Sequence, residues 1–392
     1  MRISGKTLLA IDSLFWLPHR LVELLFQTFG TIHQSTGDRI LVIKFMGIGS
    51  IIRLATLCEE HHIEKSKITL LTLASNRELC RLMGFNNHLL VRTNNIILFS
   101  KDCWNILFSM RPTKLGLIID YERCSHAVGF YRTLLSLRYR CKSISFESKR
   151  LISSNKQIVY PVDQINQEEL FMRGIELMPT APGAYFHHET VAVHSTKILI
   201  NINTSNYLLS RRYFMVSFAE VIRFLHTWDP HLEFYLTGSA DEKKYVAMLV
   251  KKLHNLPIHD VSGEWNLEKL WMELSGCALF ITGDSGPLHL AAYIHVPTIA
   301  IWGPTQPSHF GYTGKNQMNH LSLNLPCSPC FKHPASRPAR ICKGKIDCLQ
   351  DLPPSKVSEK AILILSTQTS SRRIRCPGTR VSVKMIEPQP TT

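Results

Sequence analysis

Residue types that could bind an anion lie together in the segment "TGDSGPLHLAAY", between an apolar strand pattern and an apolar helix pattern. Asp284 or Ser285 can cap the helix, and Pro287 suits its first turn, because the missing N–H of proline would be unpaired there. Gly286 lets the backbone approach a ligand closely. The free amides at the helix start, with the helix dipole behind them, form a site of the kind that binds phosphate, and His289 can add a hydrogen bond or a positive charge.

A second polar loop, "GPTQPSHFG", follows the next strand pattern and lies at the same edge of the predicted sheet. A capped helix that binds no ligand would explain the first loop alone. Two such loops at neighbouring strand ends favour a ligand, because open α/β sheets bind ligands where their strands end. The sequence therefore predicts an anion-binding site at these loops.

The elements that hold these loops alternate between strand and helix patterns. "RILVIKF" is a buried strand pattern, "MGIGS" a glycine-rich turn and "IIRLATLCEEHHI" a helix pattern. The alternation continues to "LGLIIDYE", stops in an irregular segment that contains proline and glycine, and restarts at "KILININT". Alternation of this kind predicts parallel sheets that are covered by helices on both faces.

We therefore expect the α/β class, with two domains and a ligand-binding cleft between them. The predicted segments are amino-terminal helices over 1–38, a first domain over 39–172, a linker over 173–195, a second domain over 196–365 and a flexible tail over 366–392.

Charge and cysteine content limit the partners and the compartment. The 392 residues carry a formal net charge of +15, which favours anionic partners. The chain has neither an RNA-binding signature nor a zinc-finger spacing, so we expect phosphorylated substrates or anionic lipid and no nucleic acid. Eleven cysteines, dispersed and without a secretory leader, predict reduced thiols in a cytoplasm.

The apolar segment "KTLLAIDSLFWLPHRLVELLFQTFG" near the amino terminus is interrupted by charged residues. A membrane-spanning helix needs about 20 nearly uncharged residues, so this segment is not predicted to span a bilayer. It predicts two short amphipathic helices that are broken at Pro18. Their apolar residues could associate with an anionic membrane surface or pack against the protein itself, and both interpretations fit the pattern.

The segment "DSGPLHLAAYIHVPTIAIWGPTQP" resembles the signature of the heptosyltransferase-like glycosyltransferases, glycosyltransferase family nine. That signature reads D-[ST]-G-x-x-H-x-A-A, then P-[ST], then [FWY]-G-[PA]-T. "RILVIKFMGIGSIIRLAT", "ININTSNYLLSRRYFMVSFAEVI" and "CSPCFKHPASRPARICKGKIDCLQDLPPSKV" are similar to further segments of the family, in the family's order. The resemblance covers roughly residues 39–365, and it implies two facing Rossmann-like domains of the GT-B type that transfer a sugar from a nucleotide donor.

The resemblance places the acceptor on the first domain and the nucleotide-sugar on the second. The residues that match the family's loop for the donor diphosphate are Asp284, Ser285, Gly286, Pro287 and His289, of which Asp284 matches the invariant acid.

Three further residues of the second domain match donor-binding positions. Arg211 and Arg212 fall where the family keeps a basic residue for the same diphosphate, and a guanidinium can bind phosphate oxygens bidentately. A solvated pair at a helix start is the alternative. Asp241, in "TGSADE", matches a loop that meets the nucleoside and is a candidate ribose acceptor.

One departure from the family concerns the general base. In most relatives the first glycine-rich loop ends in Gly-Asp, and that aspartate is taken to deprotonate the acceptor hydroxyl; here Ser50 follows Gly49. A neutral serine cannot serve as a base near pH 7 without a group that activates it. Asp120 and Glu122 are the nearest acidic candidates by topology, and ordinary polar residues at a strand end are the alternative interpretation.

Four cysteines near the carboxyl end have the spacing C-x2-C-x11-C-x5-C, namely Cys327, Cys330, Cys342 and Cys348. A CxxC pair suits two positions of a tetrahedral zinc site. The relatives carry a similar segment without an implied metal role, so we expect free or redox-sensitive thiols and no metal in the catalytic site.

The function predicted from the sequence is an inverting glycosyltransferase that moves a heptose or hexose from a nucleotide-sugar. The expected acceptor is lipopolysaccharide-core-like or another surface glycan, lipid-linked or polysaccharide, and the expected location is the cytoplasmic face of a membrane, held peripherally. No cofactor is expected, because the nucleotide-sugar is a co-substrate. The alternative is a catalytically impaired sugar-nucleotide-binding or scaffold protein, because of Ser50. A third interpretation, an epimerase on the same fold, has no distinctive residue in its favour.

Overall fold

The computed structural model describes residues 12, 14–29, 37–45, 47–92, 96–109, 115–122, 125–147, 158–161, 167–176, 195–204, 209–307, 318–330 and 346–374.

The first domain is built on a parallel sheet whose described strands have the order β3-β2-β1-β4-β5-β6. These strands are β1 Arg39–Ile43, β2 Ile68–Leu73, β3 His88–Val91, β4 Leu115–Asp120, β5 Lys142–Glu147 and β6 Ile158–Pro161. The helices that accompany them are α1 Trp16–Phe29, α2 Ile48–Glu60, α3 Arg77–Leu82, α4 Ile96–Ser109, α5 His126–Tyr139 and α6 Gln167–Ile175. Strands β1 and β4 are almost entirely buried, as expected for the centre of a sheet that is covered on both faces.

The second domain repeats this arrangement with the strand order β12-β11-β10-β7-β8-β9, again all parallel. These strands are β7 Lys197–Asn201, β8 Glu233–Thr237, β9 Ile258–Asp260, β10 Leu279–Gly283, β11 Thr298–Ile301 and β12 Met318–Leu321. The helices are α7 Met215–Trp228, α8 Lys243–Lys252, α9 Leu267–Ser275, α10 Gly286–Tyr293, α11 Asp347–Gln350 and α12 Pro354–Ile374. Two parallel sheets with helices confirm the predicted α/β class and the two Rossmann-like domains.

Each sheet has one face toward the other domain and one face away from it. On the first domain, α2, α3 and α6 pack in the same core as α9 and α10 of the second domain. Helices α4 and α5 pack on the opposite face of the first sheet, in a core of their own. The two domains therefore meet mainly through α2 and α10.

Polar contacts reinforce this junction at the far end of both helices. The Glu59 carboxylate on α2 accepts hydrogen bonds from Lys65 Nζ at 2.7 Å and from the Tyr293 hydroxyl on α10. Lys65 Nζ also donates to the Tyr293 oxygen at 3.3 Å. A cation of the first domain and a phenol of the second thus share one carboxylate.

The structure changes two details at the chain ends. Asp12 and Leu14 are helical, Phe15 is a turn, and helix α1 begins at Trp16, so the break lies at Phe15 and not at the predicted Pro18. Pro18 is in the first turn of α1, where the missing N–H costs nothing. Helix α12 continues to Ile374, and Gln368 Nε2 donates to the backbone oxygen of Ala278 at 3.0 Å. The start of the predicted flexible tail, 366–374, is therefore helical, and the rest of that tail lies outside the described residues.

The predicted domain limits stay predictions. The proposed boundary at residue 172 falls inside α6, and most of the proposed linker, 177–194, lies outside the described residues. Within the part of the chain that the structure describes, no helix is long and apolar enough to cross a bilayer.

Candidate active site

The carboxyl ends of β7 and β10, which are neighbours in the second sheet, are tied together by side-chain hydrogen bonds. Asn201 Nδ2 donates to the Thr282 hydroxyl at 3.1 Å and to the Ser285 hydroxyl at 3.0 Å, and these two hydroxyls are 3.0 Å apart. Ser285 occupies the N-cap position of α10, but its side chain makes no capping hydrogen bond. Because Ser285 holds the loop instead, its hydroxyl leaves the first amides of α10 to another acceptor.

Asp284 joins the two polar loops that the sequence singles out. Its Oδ2 accepts hydrogen bonds from Arg211 Nη1 at 2.9 Å and from the Thr305 hydroxyl at 2.7 Å. The Asp284 carboxylate is almost completely buried, and it forms an ion pair with the Arg211 guanidinium. Asp284 therefore positions Arg211 at the start of α10 and links the loop after β10 to the loop after β11.

The two adjacent arginines point to different partners. Arg211 pairs with Asp284, whereas the Arg212 guanidinium carbon lies 4.0 Å from the centre of the Tyr245 ring on α8. That distance is typical of a cation–π contact. Arg211 is thus the arginine placed at the loop after β10, and Arg212 is held against α8.

His289 lies one turn into α10 and is buried against the glycine-rich loop of the first domain. A Cβ added to Gly49 would overlap the imidazole and lie 2.6 Å from its Nε2. Burial lowers the pKa of His289 to about 4, although Asp284 opposes the shift. At neutral pH the ring is uncharged, so it can supply a hydrogen bond and no positive charge.

A second close approach brings the same two loops together. A Cβ added to Gly286 would lie 2.5 Å from Ile48 Cδ1, on the first turn of α2. The amino-terminal ends of α2 and α10 therefore face each other across the domain junction. Ser50, whose amide donates to the Gly47 oxygen at 3.1 Å, stands in this first turn of α2 beside Gly49.

Glu122 is buried beside the segment that leads into the glycine-rich loop. One carboxylate oxygen lies 3.0 Å from Lys44 Nζ, and the other accepts the Phe45 amide at 2.8 Å. Both contacts fall on the residues that directly follow β1. Glu122 thus holds the beginning of the glycine-rich loop in place.

Asp120 is the last residue of β4 and pairs in register with Ile43 of β1. Its Oδ1 accepts the Glu122 amide at 3.0 Å, and its Oδ2 lies 3.7 Å from Arg132 Nε. Burial raises the pKa of Asp120 to about 7, although Arg132 opposes the shift. The carboxyl group is therefore able to exchange a proton near neutral pH.

Asp241 is exposed, in a short 3-10 turn that spans Ala240–Glu242. The capping box of this turn is made by Ser239 and Glu242, so the Asp241 carboxylate takes no part in it. Its role toward a ribose stays a prediction.

Of the four carboxyl-terminal cysteines, Cys327 is exposed, Cys330 is partly buried and Cys348 is buried in the core of the second domain. Cys342 lies outside the described residues. In the parts of the chain that the structure places, no three side chains of His, Cys, Asp or Glu cluster as metal ligands would.

Sequence reasoning missed two residues that hold the site. Asn201 anchors Ser285, and Thr305 completes the hydrogen bonding of Asp284. The signals were present: Asn201 ends the strand pattern "KILIN", and Thr305 lies in the second polar loop, "GPTQP". Their partners could not be named because the contacts span about 20 to 80 positions of sequence.

Two parallel α/β domains that meet at a glycine-rich loop and a helix amino terminus define the GT-B type of fold. The family model of glycosyltransferase family 9 (heptosyltransferase) matches residues 132–339. The chain belongs to glycosyltransferase family 9.

Sequence relatives include heptosyltransferases of two bacteria. The chain is 33% identical over 113 residues to lipooligosaccharide heptosyltransferase 2 of Campylobacter jejuni. The aligned segment covers 29% of this chain and 33% of that protein. It is 36% identical over 95 residues to lipopolysaccharide heptosyltransferase 1 of Pseudomonas aeruginosa. That aligned segment covers 24% of this chain and 26% of the other protein. The chain thus spans about a third or less of the length of the curated relatives it matches.

Solved structures share the fold over most of their length. A family 9 glycosyltransferase from Veillonella parvula has a TM-score of 0.62 at 17% identity, covering 84% of this chain and 98% of its own. The ADP-heptose lipopolysaccharide heptosyltransferase II of E. coli has a TM-score of 0.58 at 15% identity, covering 84% and 99%. At these identities the likeness establishes the fold.

Proposed function

We propose that the protein transfers a heptose or hexose from a nucleotide-sugar to a lipopolysaccharide-core-like or other surface-glycan acceptor. Membership of family 9 supports sugar transfer, and the relatives are named as lipopolysaccharide or lipooligosaccharide heptosyltransferases. A related E. coli heptosyltransferase has been solved with ADP and with an ADP-heptose analogue, which makes ADP-heptose the favoured donor.

The observation that carries this proposal is the contact between the glycine-rich segment of the first domain and the start of α10 in the second domain. The Gly49 backbone touches the His289 ring, and Gly286 touches Ile48, so the donor loop and the glycine-rich loop line the same point of the domain junction. A donor bound at the start of α10 would therefore have its sugar next to the first domain, where the acceptor is expected.

In this proposal the donor diphosphate binds to the first amides of α10. The helix dipole and Arg211 stabilise the negative charge that grows on the diphosphate as the sugar leaves. Asp284 acts by holding Arg211, since a carboxylate would repel the phosphates directly. The reaction needs no cofactor and no metal, because these groups can neutralise the leaving diphosphate.

The proposed transfer is a single displacement with inversion. The acceptor oxygen bonds to the anomeric carbon, the bond from that carbon to the diphosphate breaks, and the acceptor proton passes to a base. Asp120 is the favoured base because its carboxyl group exchanges a proton near neutral pH, and Glu122 is the second candidate.

A second function, nucleotide-sugar binding without transfer, is favoured by one observation. Ser50 replaces the family's aspartate, and both neighbouring carboxylates already have partners: Glu122 pairs with Lys44, and Asp120 lies near Arg132. If neither carboxylate can leave its partner, no base serves the acceptor.

The test is a transfer assay that follows ADP release from ADP-heptose in the presence of a truncated lipopolysaccharide acceptor, beside calorimetric binding of the same donor. We expect binding, and ADP release that depends on the acceptor. Binding without release would leave the non-catalytic function. Absence of both, with other nucleotide-sugars also failing to raise the melting temperature, would contradict the proposal.

We also propose that the enzyme works peripherally on the inner face of the membrane. A lipid-linked acceptor would lie there, and the first domain has an apolar surface that is open to solvent.

A further inference from the structure

Helix α1 and the residues just before it dock on α5 through polar and aromatic contacts. Asp12 Oδ1 accepts the Ser125 hydroxyl at 2.7 Å and the Ala127 amide at 2.9 Å, at the start of α5. The rings of Phe15 and Phe130 are 5.5 Å apart. The amino-terminal helix is therefore fixed to the first domain, on the side away from the second domain.

The centre of this contact requires a glycine. His19 is fully buried, and a Cβ added to Gly129 would overlap its ring and lie 2.7 Å from its Nε2. One face of α1 is thus closely packed against α5. This face alone accounts for the packing of α1 against its own protein.

The opposite face of α1 is a solvent-exposed apolar stripe. Leu17, Leu21 and Leu24 follow the spacing of one helix face, and each is more than half exposed. Leu14, just before the helix, is exposed as well. Trp16 is exposed beside them. Three leucines on one exposed helix face, with Leu14 and Trp16 nearby, exceed the scattered apolar residues that a soluble surface normally carries.

Helices α4 and α5 add to this stripe on the same side of the first domain. The large apolar residues that they expose are Ile97, Trp104, Phe108 and Leu137. Among the described residues from 12 to 176, every exposed large apolar side chain lies on α1, α4 or α5 or, for Leu14, just before α1, and none lies on α2, α3 or α6. The exposure is therefore confined to the face opposite the domain junction, which we call the outer surface.

Cations accompany the aromatic residues of the outer surface. The Arg20 guanidinium carbon lies 5.7 Å from the centre of the Trp16 ring, and that of Arg138 lies 5.6 Å from the centre of the Phe108 ring. Apolar side chains with basic residues beside them suit a layer that is apolar inside and anionic at its edge.

We propose that the outer surface binds a bilayer that contains anionic phospholipid, with the leucines of α1 in the acyl boundary and the two arginines at the headgroups. This deepens the proposed function, because it names the face that would hold the enzyme beside a lipid-linked acceptor. A second copy of the chain is the less suitable occupant: pairing two outer surfaces would bring their arginines together on a chain of net charge +15. The domain junction lies on the opposite face of the first sheet, so a bilayer bound to the outer surface would leave the active site uncovered.

The test is flotation of the full chain with phosphatidylcholine vesicles, with and without phosphatidylglycerol. The variant Leu17→Gln with Leu21→Gln should reduce the bound fraction more than about tenfold, since burial of one leucine is worth on the order of a factor of ten. A matched control, Phe224→Gln with Met248→Gln, removes exposed apolar residues from the second domain and should float like the wild type.

A second variant separates charge from apolar contact. Arg20→Gln with Arg138→Gln should weaken binding to the phosphatidylglycerol vesicles and leave the weaker binding to neutral vesicles unchanged. Equal flotation of the wild type and the leucine variant would overturn the proposal. A wild type that is dimeric by light scattering, with a monomeric leucine variant, would also overturn it and assign the face to a second copy.

A measurement of donor binding distinguishes failure of the outer-surface proposal from failure of the proposed function. The leucine variant should bind ADP-heptose as the wild type does, because the outer surface is remote from α10. A chain that binds the donor but no vesicle contradicts the outer-surface proposal alone, and a chain that binds vesicles but no nucleotide-sugar contradicts the transferase alone.

Discussion

The imidazole of His289, on the second domain, lies against the backbone of Gly49, on the first, at a distance that leaves no room for a Cβ. This contact fixes the start of α10 beside the first turn of α2, which carries Ser50. Gly49→Ala should therefore push the two domains apart at the proposed reaction centre. We expect sugar transfer to fall by on the order of tenfold to a hundredfold, the usual cost of misplaced reacting groups.

Gly276→Ala is the matched control for this substitution. A Cβ there meets its nearest neighbour, the Met272 backbone oxygen, at an ordinary 3.7 Å. Transfer rates measured under the same conditions should be close to the wild type for Gly276→Ala and strongly reduced for Gly49→Ala. Equal rates in both variants would show that the Gly49 contact does not position the site.

The buried His289 ring should make stability fall in acid. Burial lowers its pKa from 6.5 to about 4. Between these values the unfolded chain binds more protons than the folded one, so the free energy of unfolding decreases as the pH falls through this window. Urea unfolding at a series of pH values should show a smaller acid loss in His289→Asn than in the wild type. Parallel profiles would contradict the neutral, buried state of the ring.

Asp120 should act with the opposite sign. Burial raises its pKa from 3.8 to about 7, so between these values the folded state binds more protons. The contribution of Asp120 to the free energy of unfolding therefore grows as the pH falls from about 7 toward 3.8 and is lost as the pH rises. In the same urea series, the stability of the wild type relative to Asp120→Asn should rise as the pH falls from about 7 toward 3.8, because asparagine does not titrate. A difference independent of pH would place the Asp120 carboxylate in its ordinary ionised state.

The identity of the base can be tested by three single substitutions. Ser50→Ala should retain turnover, because a neutral serine supplies no base. Asp120→Asn should reduce kcat by on the order of a hundredfold or more, the usual range for a general base, and Glu122→Gln serves as the comparison. Melting temperatures would identify a variant that fails to fold.

The outcome of Ser50→Asp discriminates between the two proposed functions. If the wild type binds donor without turnover and Ser50→Asp gains transfer, the chain is a binder that has lost its base. If Ser50→Ala abolishes transfer in a folded protein, Ser50 itself takes part, and the proposed role of Asp120 is wrong.

The alternation of strands and helices was readable in the sequence because buried parallel strands such as β1 and β4 are continuous apolar runs. The start of α10 could be located because Gly286 and Pro287 have clear roles at a helix start. The charge of His289 could not be predicted, since it depends on burial against Gly49, 240 positions earlier in the chain. The different partners of Arg211 and Arg212 likewise depend on Asp284 and Tyr245, which only the folded chain brings near.

The amino-terminal helix illustrates a different limit. Its sequence supported either a membrane contact or packing on the protein, and the structure gives α1 one face for each: His19 is buried on α5, while Leu17 and Leu21 are exposed. Local propensity suggested a break at Pro18, whereas the turn lies at Phe15, three residues earlier. Pro18 lies in the first turn of α1, where a proline loses no helix hydrogen bond, so the helix continues through it.

The measurement that tests the central claim most directly is calorimetric titration of ADP-heptose into the wild type, Arg211→Ala and Arg212→Ala. Arg211 lies at the start of α10 and is oriented by Asp284, whereas Arg212 stacks on Tyr245. We predict that Arg211→Ala raises the donor Kd by about tenfold or more, as expected for loss of a charge-assisted contact, and that Arg212→Ala raises it much less. Unchanged donor affinity in a folded Arg211→Ala protein, or an equal loss in both variants, would contradict the placement of the diphosphate at the start of α10.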